Sequence, residues 1–228
     1  MAKQQCVALG AAALVACACM PAAAYECSFK NGGWDSSEWL LVKSPRWEHF
    51  GGWTQKDDCI QNQTPPGASD DEMLGKAAPE TYTSMVLKKR LSGDVAISST
   101  MDFTYQMAPL IVVASDLGAD KAGRPEYREH YEVVLFDKGL NVWKHMFVDG
   151  KPKYEKAAFL DAAFKPNTKY VLKVEIKETA AGRMMVASVG DKKVELVDNS
   201  IPRNYYVGVT GCEGVNHFYD FSAVATAK

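Results

Sequence analysis

Apolar and polar positions alternate through most of the chain from Tyr82 onward. Val95, Ile97, Ser99, Met101 and Phe103 alternate with Ala96, Ser98, Thr100, Asp102 and Thr104, the period of a half-buried strand. Tyr170, Leu172, Val174 and Ile176 do the same against Val171, Lys173, Glu175 and Lys177. Thr83, Met85, Leu87 and Leu91 hold nearly alternating positions, and Leu110 to Ala114 is a continuous apolar run of strand length. Shorter strands are expected near Met184–Val189 and Lys193–Val197, with Tyr205–Thr210 and Phe218–Val224 closing the chain. Helical period is weak everywhere except Tyr154–Phe164, where a turn or two of helix is expected. Residues 62–81 hold three Pro, two Gly and Asp70-Asp71-Glu72 and read as one long loop. Many short strands between turn signals predict an all-β, antiparallel sandwich or barrel.

Two β-rich runs, Arg128–Phe136 and Asn141–Val148, flank Asp137-Lys138-Gly139-Leu140 and predict a hairpin. With Lys138-Gly139 as a two-residue turn, Phe136 pairs with Asn141, Val134 with Trp143, Glu132 with His145 and His130 with Phe147. One face then carries Tyr131, Val133, Leu135, Val142, Met146 and Val148, which suits a core. The other carries Arg128, His130, Glu132, Asn141, Trp143 and His145. A face needed only for solubility would carry Lys, Glu, Thr and Ser instead, so this face is the candidate site.

The residue types there limit which chemistry the face could carry. Glycoside hydrolysis needs two carboxyl groups about 5–9.5 Å apart, and this face supplies one, Glu132. β-Elimination of a uronate polysaccharide needs a group to neutralise the substrate carboxylate, a base and an acid. Arg128 fits the first role, helped by Asn141, and His145 or His130 fits the second. Glu132 would orient the imidazole. His217 or Tyr219, near the last strand, would supply the acid, and Trp143 a stacking surface for a sugar ring. A Glu–His pair across strands also serves a sheet with no ligand, contributing roughly 0.2–1 kcal/mol.

The N-terminus changes the picture of where the protein works. Lys3, an apolar run from Cys6 to Cys19 and Ala22-Ala23-Ala24 read as a secretory signal peptide, residues 1–24, cut after Ala24. Residues 25–228 then form one domain. Leu14-Val15-Ala16-Cys17 also fits a lipoprotein box, which would anchor the chain through a lipidated Cys17. Either reading exports the protein, to the periplasm, the outer surface or the medium. Loss of Lys3 takes the formal charge from −2 to −3. Charges of both signs are interspersed, so nucleic acid is not an expected partner, and no later segment is apolar enough to span a membrane.

Cys27, Cys59 and Cys212 remain. One disulfide and one free thiol are expected in an oxidising compartment, with three pairings open and Cys27–Cys59 favoured because it would tie down the N-terminal segment; three buried free thiols are the equal alternative. No cofactor and no catalytic metal is expected. Asp116 and Asp120 are the only candidates for a structural calcium. Asn62-Gln63-Thr64 fits a glycosylation sequon.

Three features together resemble the concanavalin A-like lectin and glucanase superfamily. They are the hairpin Tyr131-Glu132-Val133 to Trp143-Lys144-His145, the turn Pro166-Asn167-Thr168 feeding Tyr170–Val174, and the final strand Phe218–Val224. The resemblance spans roughly Trp34 to Val224. It implies a jelly roll of two curved sheets, one of which binds glycans. It departs from laminarinase-type hydrolases of that fold, which carry a Glu-x-Asp-x-x-Glu strand, since no Glu-x-Asp occurs here. The expected function is a secreted carbohydrate-active protein acting on a polysaccharide or oligosaccharide, with a lyase ahead of a glycoside hydrolase. A non-catalytic, lectin-like module and an envelope accessory protein are the alternatives.

Overall fold

A computed structural model describes residues 24–226. The segment expected to be a signal peptide, except Ala24, and Cys17 of the expected lipoprotein box fall outside the described residues.

Two antiparallel sheets face one another. The first runs Lys151–Asp161, Gly139–Val148, His130–Phe136, Pro109–Ala114, Asn204–Gly211, Thr83–Leu87 and Trp39–Leu41, with Leu91–Ser92 also on Asn204–Gly211. The second runs Lys192–Val197, Gly182–Val189, Tyr170–Thr179, Asp94–Phe103, Asn216–Phe218, Ile60–Asn62 and Trp53–Gln55. Asp220–Thr226 also pairs with Asp94–Phe103, and Ala24–Ser28 pairs with Asp220–Thr226. Runs of hairpin-linked strands stay in one sheet, His130–Asp161 in the first and Tyr170–Val197 in the second, and the chain crosses between the sheets from one run to the next, which gives the jelly-roll sandwich.

The alternation read from the sequence decides what lies between the sheets. Ile97, Met101, Leu172, Val174 and Phe218 meet Met85, Ile111, Val113, Val133 and Val209 in one core cluster. Burying each large side chain contributes about 1.5–3 kcal/mol. The outward face of the eight-stranded sheet holds a second, smaller cluster of Val42, Val86, Leu110, Val112, Tyr127 and Val134. It is roofed by the ribbon Leu117–Ala119 with Pro125–Tyr127 and by residues 42–44, which bridge to that ribbon at Lys43 and Glu126.

Three local expectations are corrected. The segment 154–164 is not helical: Lys151–Asp161 is an edge strand paired along the whole of Gly139–Val148. Its alanines favour a helix only when no partner strand competes. Residues 62–81 contain two short helices, Asp70–Leu74 and Ala78–Thr81. The first begins at a capping box in which Ser69 and Glu72 satisfy each other's backbone N–H groups. Cys27, Cys59 and Cys212 are free thiols. Cys27 lies opposite Phe221 on the last strand, whereas Cys59 precedes a strand paired with Asn216–Phe218, so the two do not face each other.

The hairpin forms, but in a different register. Phe136 pairs with Gly139, Val134 with Asn141, Glu132 with Trp143 and His130 with His145. The turn is therefore Asp137-Lys138, and Gly139 is the first strand residue. Its φ is 148°, and a Cβ there would lie 2.0 Å from the Leu160 carbonyl oxygen on the next strand. The glycine serves close strand approach rather than the turn. The shift is two residues, an even number, so every side chain stays on its expected face.

Candidate functional site: a buried imidazole–carboxylate layer

His130, Glu132, Asn141, Trp143 and His145 share the outward face of the eight-stranded sheet, as expected. Their exposure is not that of an open groove. The side chains of His130, Glu132 and His145 are 0%, 8% and 4% exposed. Asn141 is also buried and its Oδ1 has no partner. Trp143 is half-buried and meets Tyr154 edge-on at 5.9 Å.

Glu132 is the centre of the layer. Its Oε1 accepts a hydrogen bond from the Tyr82 hydroxyl at 3.0 Å and lies 3.4 Å from His130 Nε2, and its Oε2 lies 3.0 Å from His145 Nε2. Neither imidazole aims an N–H along these contacts, since both Nε2 atoms lack a directed hydrogen-bond partner. The rings form a stack instead. Tyr127 lies on His130 at 4.4 Å, His130 on His145 at 4.3 Å with planes 11° apart, and His145 on Tyr154 at 5.9 Å. The Arg46 guanidinium closes the column, 4.2 Å over Tyr154 and 4.6 Å from Trp47.

This environment separates the protonation states. Burial opposes charging of His130 and pushes it down to about 4, with the Glu132 carboxylate pulling the other way. Burial by itself raises the Glu132 carboxyl, but His145 and His130 outweigh it and hold the group well below the usual range. Burial, and then the Glu132 charge, raise the Tyr82 hydroxyl far above its ordinary value. At neutral pH the layer holds a buried carboxylate, a neutral His130 and a phenol that donates to the carboxylate.

His130, Glu132 and His145 offer three ligand atoms within 4.8 Å of one another, enough for a metal ion. The stack argues against that use. Imidazoles stacked 4.3 Å apart keep their lone pairs in separate, nearly parallel planes, whereas one ion must lie close to both planes at once.

The other expected site residues lie elsewhere. Arg128 donates to Glu126 Oε2 at 3.0 Å and to the Ala119 carbonyl at 2.9 Å, tying down the ribbon. Glu126 in turn holds buried Lys43 at 3.3 Å. His217 and Tyr219 belong to the second sheet. There His217 Nδ1 lies 2.7 Å from Asp102 Oδ1, and the Tyr219 hydroxyl donates to Asp102 Oδ2 at 2.6 Å. They do not border the hairpin face. Asp120 spends its carboxylate on the Ala122 and Arg124 backbone N–H groups and the Arg124 side chain, which builds the ribbon turn rather than a calcium loop. Asn62 is fully buried, so the sequon is a structural residue and not a glycan acceptor.

Sequence reading missed Arg46, Tyr82, Tyr127 and Tyr154. Tyr127 stood one residue before the expected hairpin. Tyr154 was read as helix, and Arg46 and Tyr82 reach the face from distant segments that no local pattern connects.

Neither a family model nor a curated protein sequence matches the chain. Solved structures do. A carbohydrate-binding module, CBM66 from Bacillus subtilis, is 13% identical with a TM-score of 0.55, covering 82% of this chain and 96% of its own. The carbohydrate recognition domain of Emp47p is 13% identical with a TM-score of 0.56, covering 89% and 96%. The cellulose-induced protein Cip1 is 11% identical with a TM-score of 0.57, covering 89% and 97%. At these identities the likeness is one of fold: the chain is a concanavalin A-like jelly roll.

Proposed function

We propose that the protein binds glycans without cleaving them, on the outward face of the eight-stranded sheet. One observation carries the reading. Tyr154 and Phe159, 52% and 45% exposed, are the only exposed large aromatics among the described residues, and both lie on this face. Residues five apart on a regular strand point to opposite sides. Here the ladder shifts between Val142–Ala158 and Trp143–Lys156, leaving Ala157 as an extra residue, and the bulge turns both rings the same way. With half-buried Trp143 and the Arg46–Trp47 pair beside them, they form an exposed aromatic strip that carries cationic donors, Arg46 over Tyr154 and Lys156 over Phe159, so a sugar would meet ring edges and these donors together.

Binding is favoured over cleavage because the expected catalytic groups are covered. A general base must reach the proton it removes, and His130, Glu132 and His145 sit beneath Tyr82, Tyr127 and Tyr154. Arg128 is committed to Glu126, and His217 and Tyr219 lie on the opposite sheet. The buried layer supports the platform from below. The carbohydrate-binding modules and lectin domains that share the fold are consistent with this reading.

The test is a titration of the protein against a panel of soluble and insoluble polysaccharides, with Tyr154→Ala and Phe159→Ala alongside and reaction products followed by reducing ends and by absorbance of unsaturated uronates. Binding without products, weakened about tenfold or more in Tyr154→Ala, is the expected result. Unsaturated products lost in His145→Ala would restore the lyase instead.

A further inference from the structure

The strands Trp39–Leu41 and Trp53–Gln55 each end the strand order of their sheet, and residues of both line a cleft of about 590 Å³. That volume falls in the range of small-ligand sites. Its walls include Trp34, Phe50, Trp53, Gln63, Met85 and Lys88. Trp34, Trp39 and Trp53 come from a stretch of the chain holding four tryptophans, of which only Trp47 lies by the hairpin face.

The polar groups of the cleft are mostly donors. The indole N–H groups of Trp34 and Trp53 are buried and have no acceptor in the protein. Trp39, in the same cleft, spends its own on the Tyr25 hydroxyl at 3.1 Å. Unpaired buried donors are rare enough that each calls for a partner. Lys88 is exposed and makes no ion pair among the described residues. Asp35 outside the lining feels its charge, though Ser37 dominates the lowering of that carboxyl. Gln63 is also exposed and lies against Gly52, where an added Cβ would come within 2.9 Å of its amide oxygen, so the glycine keeps the amide in place. No Asp or Glu lines the cleft.

A cleft with aromatic walls, an ammonium, an amide and no carboxylate complements a ring that is apolar on one face and anionic. We propose that it binds a uronic-acid residue of an acidic glycan, with the pyranose against Trp34 and Trp53 and the carboxylate toward Lys88. The proposal extends the glycan-binding reading to a second site and rests on different residues, so each can fail alone.

Tryptophan fluorescence and calorimetric titration of the full chain with tri-galacturonate and with maltotriose test it. The variants are Lys88→Ala and Gln63→Ala, both at exposed positions, and Tyr154→Ala as a probe of the other face. Expected are a fluorescence change and binding with tri-galacturonate only, weakened about tenfold in Lys88→Ala, weakened by high salt, and unchanged in Tyr154→Ala. Equal binding of the two sugars, or tri-galacturonate binding insensitive to Lys88→Ala and Gln63→Ala, overturns the cleft. Tri-galacturonate binding lost only in Tyr154→Ala overturns it too while leaving the platform standing. Absence of binding to any glycan overturns both sites.

Discussion

The Glu132 carboxylate touches His145 at 3.0 Å although its register partner across the hairpin is Trp143. The contact is diagonal. It forms because His145 faces His130 directly, and Glu132, two residues along the same strand as His130, leans back toward both rings. Tyr82 completes the arrangement from another strand. Three covered groups therefore stabilise one buried anion, and the acid sensitivity of the fold follows from them.

His130 titrates at about 4 in the folded protein against 6.5 when free. The unfolded chain thus binds more protons between those values, and stability falls as pH drops from 6.5 toward 4. The full shift corresponds to roughly 3 kcal/mol. Glu132, held well below 4.5, acts in the same direction at lower pH: its contribution is present above 4.5 and is lost as pH falls through the lowered value. Urea unfolding measured from pH 7 to pH 4 should show a declining free energy. His130→Phe, which keeps a ring between Tyr127 and His145, should flatten the slope between 6.5 and 4. An unchanged slope would mean that His130 is not the group responsible.

Tyr82→Phe removes one donor from the Glu132 carboxylate and leaves the ring in place. A hydrogen bond to a buried charge contributes about 1.5–3 kcal/mol, so urea unfolding at pH 7 should show a loss of that order. In a Glu132→Gln background the same substitution should cost less, because the charge is gone. Equal costs in both backgrounds would show that the hydroxyl does not serve the carboxylate.

Much of this arrangement was legible in the sequence, and what was not has identifiable causes. Alternation at Val95–Thr104 and Tyr170–Lys177 marked two strands that pair with each other in the second sheet, because one face of each strand is core and period two survives any error in pairing. The faces of the hairpin were read correctly even though Lys138-Gly139 was taken as its turn, since the true register differs by two residues. Gly139 misled because a glycine beside a turn and a glycine under a neighbouring carbonyl look alike until Leu160 is placed. The burial of His130 and His145 was not legible. It depends on Tyr82 and residues 42–50, which arrive from distant parts of the chain, and on Tyr127, which lies on the ribbon just before the hairpin and stacks on His130. Arg128 was counted with the site because it shares the strand parity of His130, yet Glu126 captures it. His217 and Tyr219 were grouped with the hairpin on the assumption that the last strands lie beside it, and these strands belong to the other sheet.

The metal question has a direct test. If His130, Glu132 and His145 bind an ion, one ring must leave a stack whose planes are 11° apart. Chelation of the purified protein followed by thermal melting, with and without added zinc, should give the same midpoint throughout. A zinc-dependent rise that disappears in His145→Ala would show that the ring does turn and that the layer is a metal centre, since a ligand that binds only the folded state raises its stability by mass action.

Asn62 gives the last prediction. Its amide donates to the Thr81 carbonyl and to the Gly214 carbonyl, each at 2.9 Å, and its Oδ1 accepts from the Asn216 N–H at 2.8 Å. Two segments far apart in sequence are thus joined by one buried side chain: the end of the helix Ala78–Thr81 and the stretch Gly214–Asn216 that leads into the strand Asn216–Phe218. Each net hydrogen bond is worth about 1 kcal/mol, and the backbone groups left behind would be buried and unpaired. Asn62→Ala should therefore lower the unfolding free energy by about 3 kcal/mol or more. Asn62→Asp keeps the size of the side chain and the acceptor but replaces both donors with a second acceptor facing two carbonyls, so it should be at least as damaging as Asn62→Ala at neutral pH and recover partly in acid. If Asn62→Asp proves milder than Asn62→Ala at pH 7, the two carbonyl bonds are not what holds this corner of the sandwich together.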